Sequence, residues 1–155
     1  MSIPMHLKSH LKQAHISYSP ILHIPTRRAQ YTASILHVPG KEVAKTVVLC
    51  AGKKHLLAVL PASYHVNLKK LAAAVGAPVR LIHELACNKL FPDCDAGAIP
   101  PFGELYGLPV YMDEALADNP EIVFNAGTRS DAIRMGNADF VHLAKARVCS
   151  FADQA

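Results

Sequence analysis

No apolar run in this 155-residue chain is long enough to cross a bilayer, and the first residues, Met1-Ser2-Ile3-Pro4-Met5-His6, lack the basic and apolar blocks of an export signal. The expectation is a soluble cytosolic protein. The four cysteines, Cys50, Cys87, Cys94 and Cys149, include no C-x-x-C pair, so they read as reduced thiols. There is no phosphate-binding G-x-x-x-x-G-K-[ST] loop, no dinucleotide fingerprint and no G-x-S-x-G elbow. The nine histidines form no H-E-x-x-H motif. His83 and Cys87 stand four apart on a predicted helix, with Asp93 and Asp95 flanking Cys94, but zinc sites want four ligands at firmer spacings. No metal and no cofactor is expected.

Acid is scarce where base is abundant. Residues 1–80 hold eleven Lys/Arg and a single acid, Glu42, whereas residues 81–155 hold five Lys/Arg and eleven acids. Three basic pairs, Arg27-Arg28, Lys53-Lys54 and Lys69-Lys70, lie in the first part. Such asymmetry points to an anionic partner docking on the N-terminal elements.

With 51% hydrophobic and 18% charged residues, the chain is globular, and its length suits one domain over residues 1–155. Residues 4–14 read as a helix and 18–23 as extended. Thr26 is a good N-cap for a short helix over 27–36. Residues 46–50 and 56–60 are dense apolar strands, joined by a hairpin loop over 51–55 and covered on both faces. Asn67 caps a helix through Val75, with Leu68, Leu71, Ala72 and Val75 at helical spacing and Gly76 as the stop. Strands are expected near 79–81, 108–112, 121–124 and 132–135, and helices over 83–90 and from Asn137. The fold class is a single mixed α/β domain around a mostly antiparallel or mixed sheet.

Two segments stand out. Gly97-Ala98-Ile99-Pro100-Pro101-Phe102-Gly103 sets adjacent prolines between glycines, a rigid turn able to fix backbone groups beside a ligand. The N–H groups of Ala98 and Ile99 are candidates to bind a carbonyl oxygen or oxyanion. Upstream, Lys45 leads into the apolar run Thr46-Val47-Val48-Leu49, either as a cation at a pocket edge or as a solvated lysine at a strand start, just as the segment from Gly97 to Gly103 is either a recognition loop or an ordinary structural turn. A third segment, Asn125-Ala126-Gly127-Thr128, follows a predicted strand, where small residues permit close approach to a ligand or simply make a turn.

On these residues the chain resembles the YbaK/ProX family of aminoacyl-tRNA deacylases, the domain also found as the editing insertion of bacterial prolyl-tRNA synthetases. The matching pieces are Val43-Ala44-Lys45-Thr46-Val47-Val48-Leu49, the segment from Gly97 to Gly103, and Val123-Phe124-Asn125-Ala126-Gly127-Thr128. The resemblance implies a freestanding hydrolase that clears mischarged tRNA by cleaving the ester at the terminal adenosine. It implies that Lys45 is required, and that Gly97 to Pro101 hold the aminoacyl end, with Ala98, Ile99 and Pro100 inside that loop and Phe102 and Gly103 closing it. It also implies reliance on positioned water rather than a protein nucleophile. Thr26, Ile35, Thr46, Ile99 and Ala126 are candidate pocket residues, with Asn125 and Gly127 beside them. Arg27, Arg28, Lys53, Lys54, Lys69 and Lys70 are candidates for tRNA backbone contacts. The expected partner is the acceptor end of aminoacyl-tRNA, with room for a synthetase. The expected substrate is a small amino acid such as Ala, Cys, Ser or Thr. The alternative is a non-catalytic tRNA-binding module using the same basic segments.

Overall fold

The structure is a computed structural model that describes residues 3–26 and 28–154, with Glu84 and Leu85 described by their backbone alone. Its elements are α1 (Met5–Gln13), β1 (Tyr18–Leu22), α2 (Ala29–Leu36), β2 (Val43–Ala51), β3 (Lys54–Pro61), β4 (Tyr64–Val66), α3 (Leu68–Val75), β5 (Arg80–Leu81), α4 (Glu84–Leu90), β6 (Val110–Asp113), α5 (Glu114–Ala117), β7 (Glu121–Asn125), β8 (Asp131–Gly136), α6 (Asn137–Ala144), β9 (Arg147–Cys149) and β10 (Ala152–Gln154). One sheet runs in the order β1-β8-β7-β2-β3-β6-β9, with β5 also on β2, and β4 and β10 form a separate ribbon. The sheet is mixed. β2 lies parallel to β7, β3 to β6 and β6 to β9, and the other pairs are antiparallel.

The β2–β3 hairpin is longer than its sequence suggests. Gly52 takes φ +64°, so two residues turn the chain and Ala51 pairs with Lys54. β3 is buried at six consecutive positions because helices cover both faces. On one face Leu7 and Leu11 of α1 pack with Phe102, Phe124 and Phe140. The Phe102 ring meets Phe124 and Phe140 edge-on at 5.6 and 5.3 Å. On the other, Leu71 of α3 joins Leu49, Leu60, Tyr111 and Phe151. A smaller cluster seats Ala29 and Ala33 of α2 on Val43 and Val123.

The ends of α3 follow local chemistry, and the start of α2 does not. Asn67 Oδ1 accepts the Lys70 N–H at 3.1 Å, and Gly76 closes α3 at φ +86°. Thr26 does not cap α2. Its N–H donates to the Arg129 carbonyl and its hydroxyl pairs with Thr32, so the helix starts at Ala29 with Arg28 in the cap position and no capping side chain. Arg27 lies outside the described residues.

One buried carboxylate fastens the C-terminal ribbon. Asp113, 1% exposed, accepts the N–H groups of Ala115, Phe151 and Ala152 at 2.8–2.9 Å. Asp113→Ala is expected to lower unfolding free energy by about 3 kcal/mol or more, measured by urea denaturation. Asp113→Asn, which keeps one acceptor oxygen, is expected to fall between variant and parent.

Candidate active site

The sheet opens at its centre. β2 and β7 pair only through Val43↔Val123 and Ala44↔Phe124, and β5 joins the same edge of β2 only from Leu49 onward. Lys45 and Thr46 therefore lie in β2 just past its junction with β7, where β7 is ending at Asn125. A crevice where strands part is where ligands of α/β sheets bind. Here it is a cavity of about 430 Å³, walled by β2 through Ala44, Lys45 and Thr46, by the start of α2 through Arg28, Ala29 and Gln30, by Asn125, by Gly97 and Ile99, by Ala62, and by Tyr64 and His65 of β4.

Among the described residues, the wall carries Arg28, Lys45 and His65 and no carboxylate. Lys45 is half-buried, and burial pulls its ammonium below the usual lysine range. The ion pairs among the described residues engage other cations, so no carboxylate compensates Lys45. Ala29 and Gln30, the first residues of α2, line the same wall, and that first turn, at the positive end of the helix dipole, has no capping side chain. Cation, helix end and backbone donors together make an anion-binding cavity.

Thr32 fixes α2 there. Its buried hydroxyl sits 2.7 Å from that of Thr26 and donates to Asn125 Oδ1 at 3.2 Å. The Asn125 amide nitrogen is left without a partner among the described residues, on a residue that lines the cavity.

The Gly/Pro loop is fastened from behind. Asp95 N–H donates to the Gly127 carbonyl at 2.8 Å, and Gly127 N–H donates to the Ala98 carbonyl at 2.7 Å. Arg129 adds its backbone N–H to Asp95 Oδ2 and its Nε–H to the Ala96 carbonyl. Gly97 turns at φ +79°. Of the two N–H groups expected to bind an oxygen, Ala98's is already engaged with the Asp95 carbonyl, and Ile99's has no partner among the described residues. The buried Phe102 faces the aromatic cluster rather than the cavity. A Cβ on Gly103 would overlap the Leu108 carbonyl, so that glycine permits close packing. Gly127 has φ +91°, and a Cβ there would stand 2.5 Å from Pro4 Cδ.

Of the residues singled out in the sequence, Arg28, Lys45, Thr46, Gly97, Ile99 and Asn125 come together in this cavity. Pro100, Pro101 and Ala126 are buried behind it. Thr26 and Ile35 line a separate depression on α2. Lys53 and Lys54 stand at the hairpin tip, roughly 20 Å along β2 from Lys45. Lys69 and Lys70 are on α3, where Lys70 Nζ is held by Asp153 at 2.9 Å. Sequence reasoning missed Gln30, Thr32, Tyr64 and His65, which belong to no motif. Cys94 is outside the cavity, in a network with His6, Asp93 and Tyr106, and burial pushes its thiol up to about 12. Among the described residues no group of three or more His, Cys, Asp or Glu is placed to hold a metal ion, and no helix is long and apolar enough to cross a membrane.

Two variants test this construction. Gly127→Ala combines a left-handed backbone with the clash at Pro4, and is expected to lose about 2–4 kcal/mol of stability by chemical denaturation. Lys45 acts in the opposite sense. Burial disfavours its ammonium, so the unfolded chain binds that proton more tightly than the folded one. The resulting penalty is present at neutral pH and relieved as pH rises through the lowered pKa toward 10.5. Lys45→Met is expected to raise the melting temperature at pH 7 by about 1–4 °C, with the gap to the parent closing toward pH 10.5.

Comparison with known proteins gives the same picture. The family model of the aminoacyl-tRNA editing domain matches residues 23–143. A curated relative from Escherichia coli K12, the multifunctional Ser/Thr-tRNA deacylase ProXp-y, is 30% identical over 99 residues, which is 63% of this chain and 59% of the relative. The match thus spans less than two thirds of that protein's length. Among solved structures, a hypothetical protein, APE2540, superposes with a TM-score of 0.87 at 19% identity, covering 95% of this chain and 99% of its own. A candidate trans-editing enzyme for prolyl tRNA synthetase gives a TM-score of 0.82 at 23% identity, over 98% of this chain and 99% of that one. These two likenesses establish the fold. The family model covers every segment that builds the cavity, and the chain belongs to the aminoacyl-tRNA editing domain family.

Proposed function

We propose that this protein is a trans-editing deacylase that hydrolyses the ester between a small amino acid and the terminal adenosine of mischarged tRNA. The observation that carries the reading is the cavity, free of carboxylates among the described residues, that Lys45, Arg28 and the start of α2 line together with Gly97 and Ile99. A tRNA end brings phosphate, and this wall has the charge to hold it.

An aminoacyl ester is already activated, so placement and charge stabilisation suffice. Lys45 and Arg28 hold the phosphate beside the terminal ribose. The Ile99 N–H and the Asn125 amide supply donors for the oxyanion that forms as water adds to the ester carbonyl. The tetrahedral intermediate then expels the ribose oxygen, which takes up a proton, and the free amino acid leaves. Among the described residues, the cavity wall has no serine or cysteine, in keeping with attack by water. Thr46, Tyr64 and Asn125 give the wall polar groups suited to a hydroxyl-bearing amino acid, and the E. coli relative is a Ser/Thr-tRNA deacylase. A missing hydroxyl partner discriminates more sharply than a missing methylene, so Ser and Thr are the preferred members of the small-amino-acid set.

The test is a panel of tRNAs carrying correct and incorrect amino acids, with Ser- and Thr-charged species beside Ala and Cys. Multiple-turnover release of amino acid by the parent is expected, with Lys45→Ala reducing the rate at least a hundredfold, about the loss seen when one stabilising group is removed. Equal rates for parent and Lys45→Ala would remove Lys45 from the reaction. Salt-sensitive binding with no turnover of any ester would leave a tRNA-binding module instead.

A further inference from the structure

The other side of α2 carries an apolar notch that the ester site does not use. Pro25, Thr26, Tyr31, Ser34 and Ile35 enclose about 420 Å³, with no charged side chain among them. Tyr31 is 57% exposed, and Ile24 and Leu22 beside the notch are 68% and 80% exposed. Exposed aromatic and aliphatic groups gathered at one place mark a contact surface.

Its position says what it contacts. The notch and the basic cavity share α2: Arg28, Ala29 and Gln30 line one, and Tyr31, Ser34 and Ile35 line the other. The wall between them is the hydrogen-bonded series Thr26, Thr32 and Asn125, with Thr26 in the notch and Asn125 in the cavity. The two depressions are separated by no more than a helix width, about 10–12 Å. A polyanion anchored at Arg28 and Lys45 therefore has, one helix face away, an aromatic surface whose described lining residues are uncharged. Alternating phosphate-binding and base-stacking surfaces are what a single-stranded nucleic acid requires.

We infer that the Tyr31 notch is a stacking subsite for an unpaired nucleobase of the RNA strand whose acylated end occupies the basic cavity. This rests on the proposed function for the identity of the strand. The Tyr31 ring offers the base its face, while Pro25 and Ile35 exclude water from the edges. Stacking is tolerant of base identity, so the subsite contributes affinity and register rather than sequence choice.

The probe is an acceptor-end RNA oligonucleotide carrying 2-aminopurine at the terminal or penultimate position. Bound to the parent protein, one of the two probes is expected to lose fluorescence, and the probe that does so identifies which base stacks. Tyr31→Ala should abolish that quench and weaken binding about tenfold or more, whereas Tyr31→Phe should keep the quench and bind within about twofold. Val148→Ala, a comparably exposed apolar position on β9, serves as the control. In turnover, Tyr31→Ala should raise KM for aminoacyl-tRNA about tenfold with kcat held.

Unchanged binding and quench in Tyr31→Ala would overturn the subsite, as would a parent dimer in sedimentation that Tyr31→Ala dissolves, since the notch would then be covered by a second copy. The binding readout needs no catalysis. Loss of hydrolysis across the ester panel would remove the deacylase reading, while a Tyr31-dependent quench would still report the stacked base.

Discussion

Two main-chain hydrogen bonds, Asp95 to Gly127 and Gly127 to Ala98, hold this site together. They join a loop with little regular structure to the end of a buried strand. From that junction the order spreads both ways. Gly97 and Ile99 are presented to the cavity on one side. On the other, Asn125 is fixed at the end of β7 and reaches α2 through Thr32. Both walls of the cavity thus take their positions from the last residue of β7 and the turn that follows it. Gly127 is suited to this role because its missing side chain lets Pro4 close against its back.

The electrostatics of the cavity are built at a cost to the fold. A half-buried lysine with no carboxylate beside it destabilises the empty protein, and a helix start without a cap leaves donors unsatisfied. An anion bound in the cavity would offset both deficits. The free energy withheld from folding would then favour binding, the pattern of a functional site rather than of a structural ion pair. The same reasoning separates Lys45 from Lys70, whose ammonium is already neutralised by Asp153.

Much of the fold was legible because its signals are local. The apolar runs of β2 and β3, the Asn67 cap and Gly76 stop of α3, and the strand before Asn125 each follow from a few adjacent residues. What escaped was tertiary in origin. β4, β9 and β10 are three residues each and exist because Asp113 gathers the C-terminal segment. Thr26 looked like a cap, but the Arg129 carbonyl and Thr32 claim its groups. In the site, motif residues such as Lys45 and Gly97 were readable. Thr32, Tyr64 and His65 were not, since their place depends on which elements the sheet brings alongside. Phe102 and Gly103 show the converse, residues of the Gly/Pro segment whose contacts are those of packing.

The contact between Pro4 and Gly127 also sets the order in which the molecule can be completed. Its two halves are separated by more than a hundred residues, as are the strands β1 and β8. The segment around Pro4 is made before Gly127, so this contact closes only after residue 127 has left the ribosome. The hairpin of β2 and β3 can form early from neighbours in sequence, carrying Lys45 with it. The loop carrying Gly97 and Ile99 is tied to Gly127, so its clamp closes only after that residue has been made, later than the hairpin.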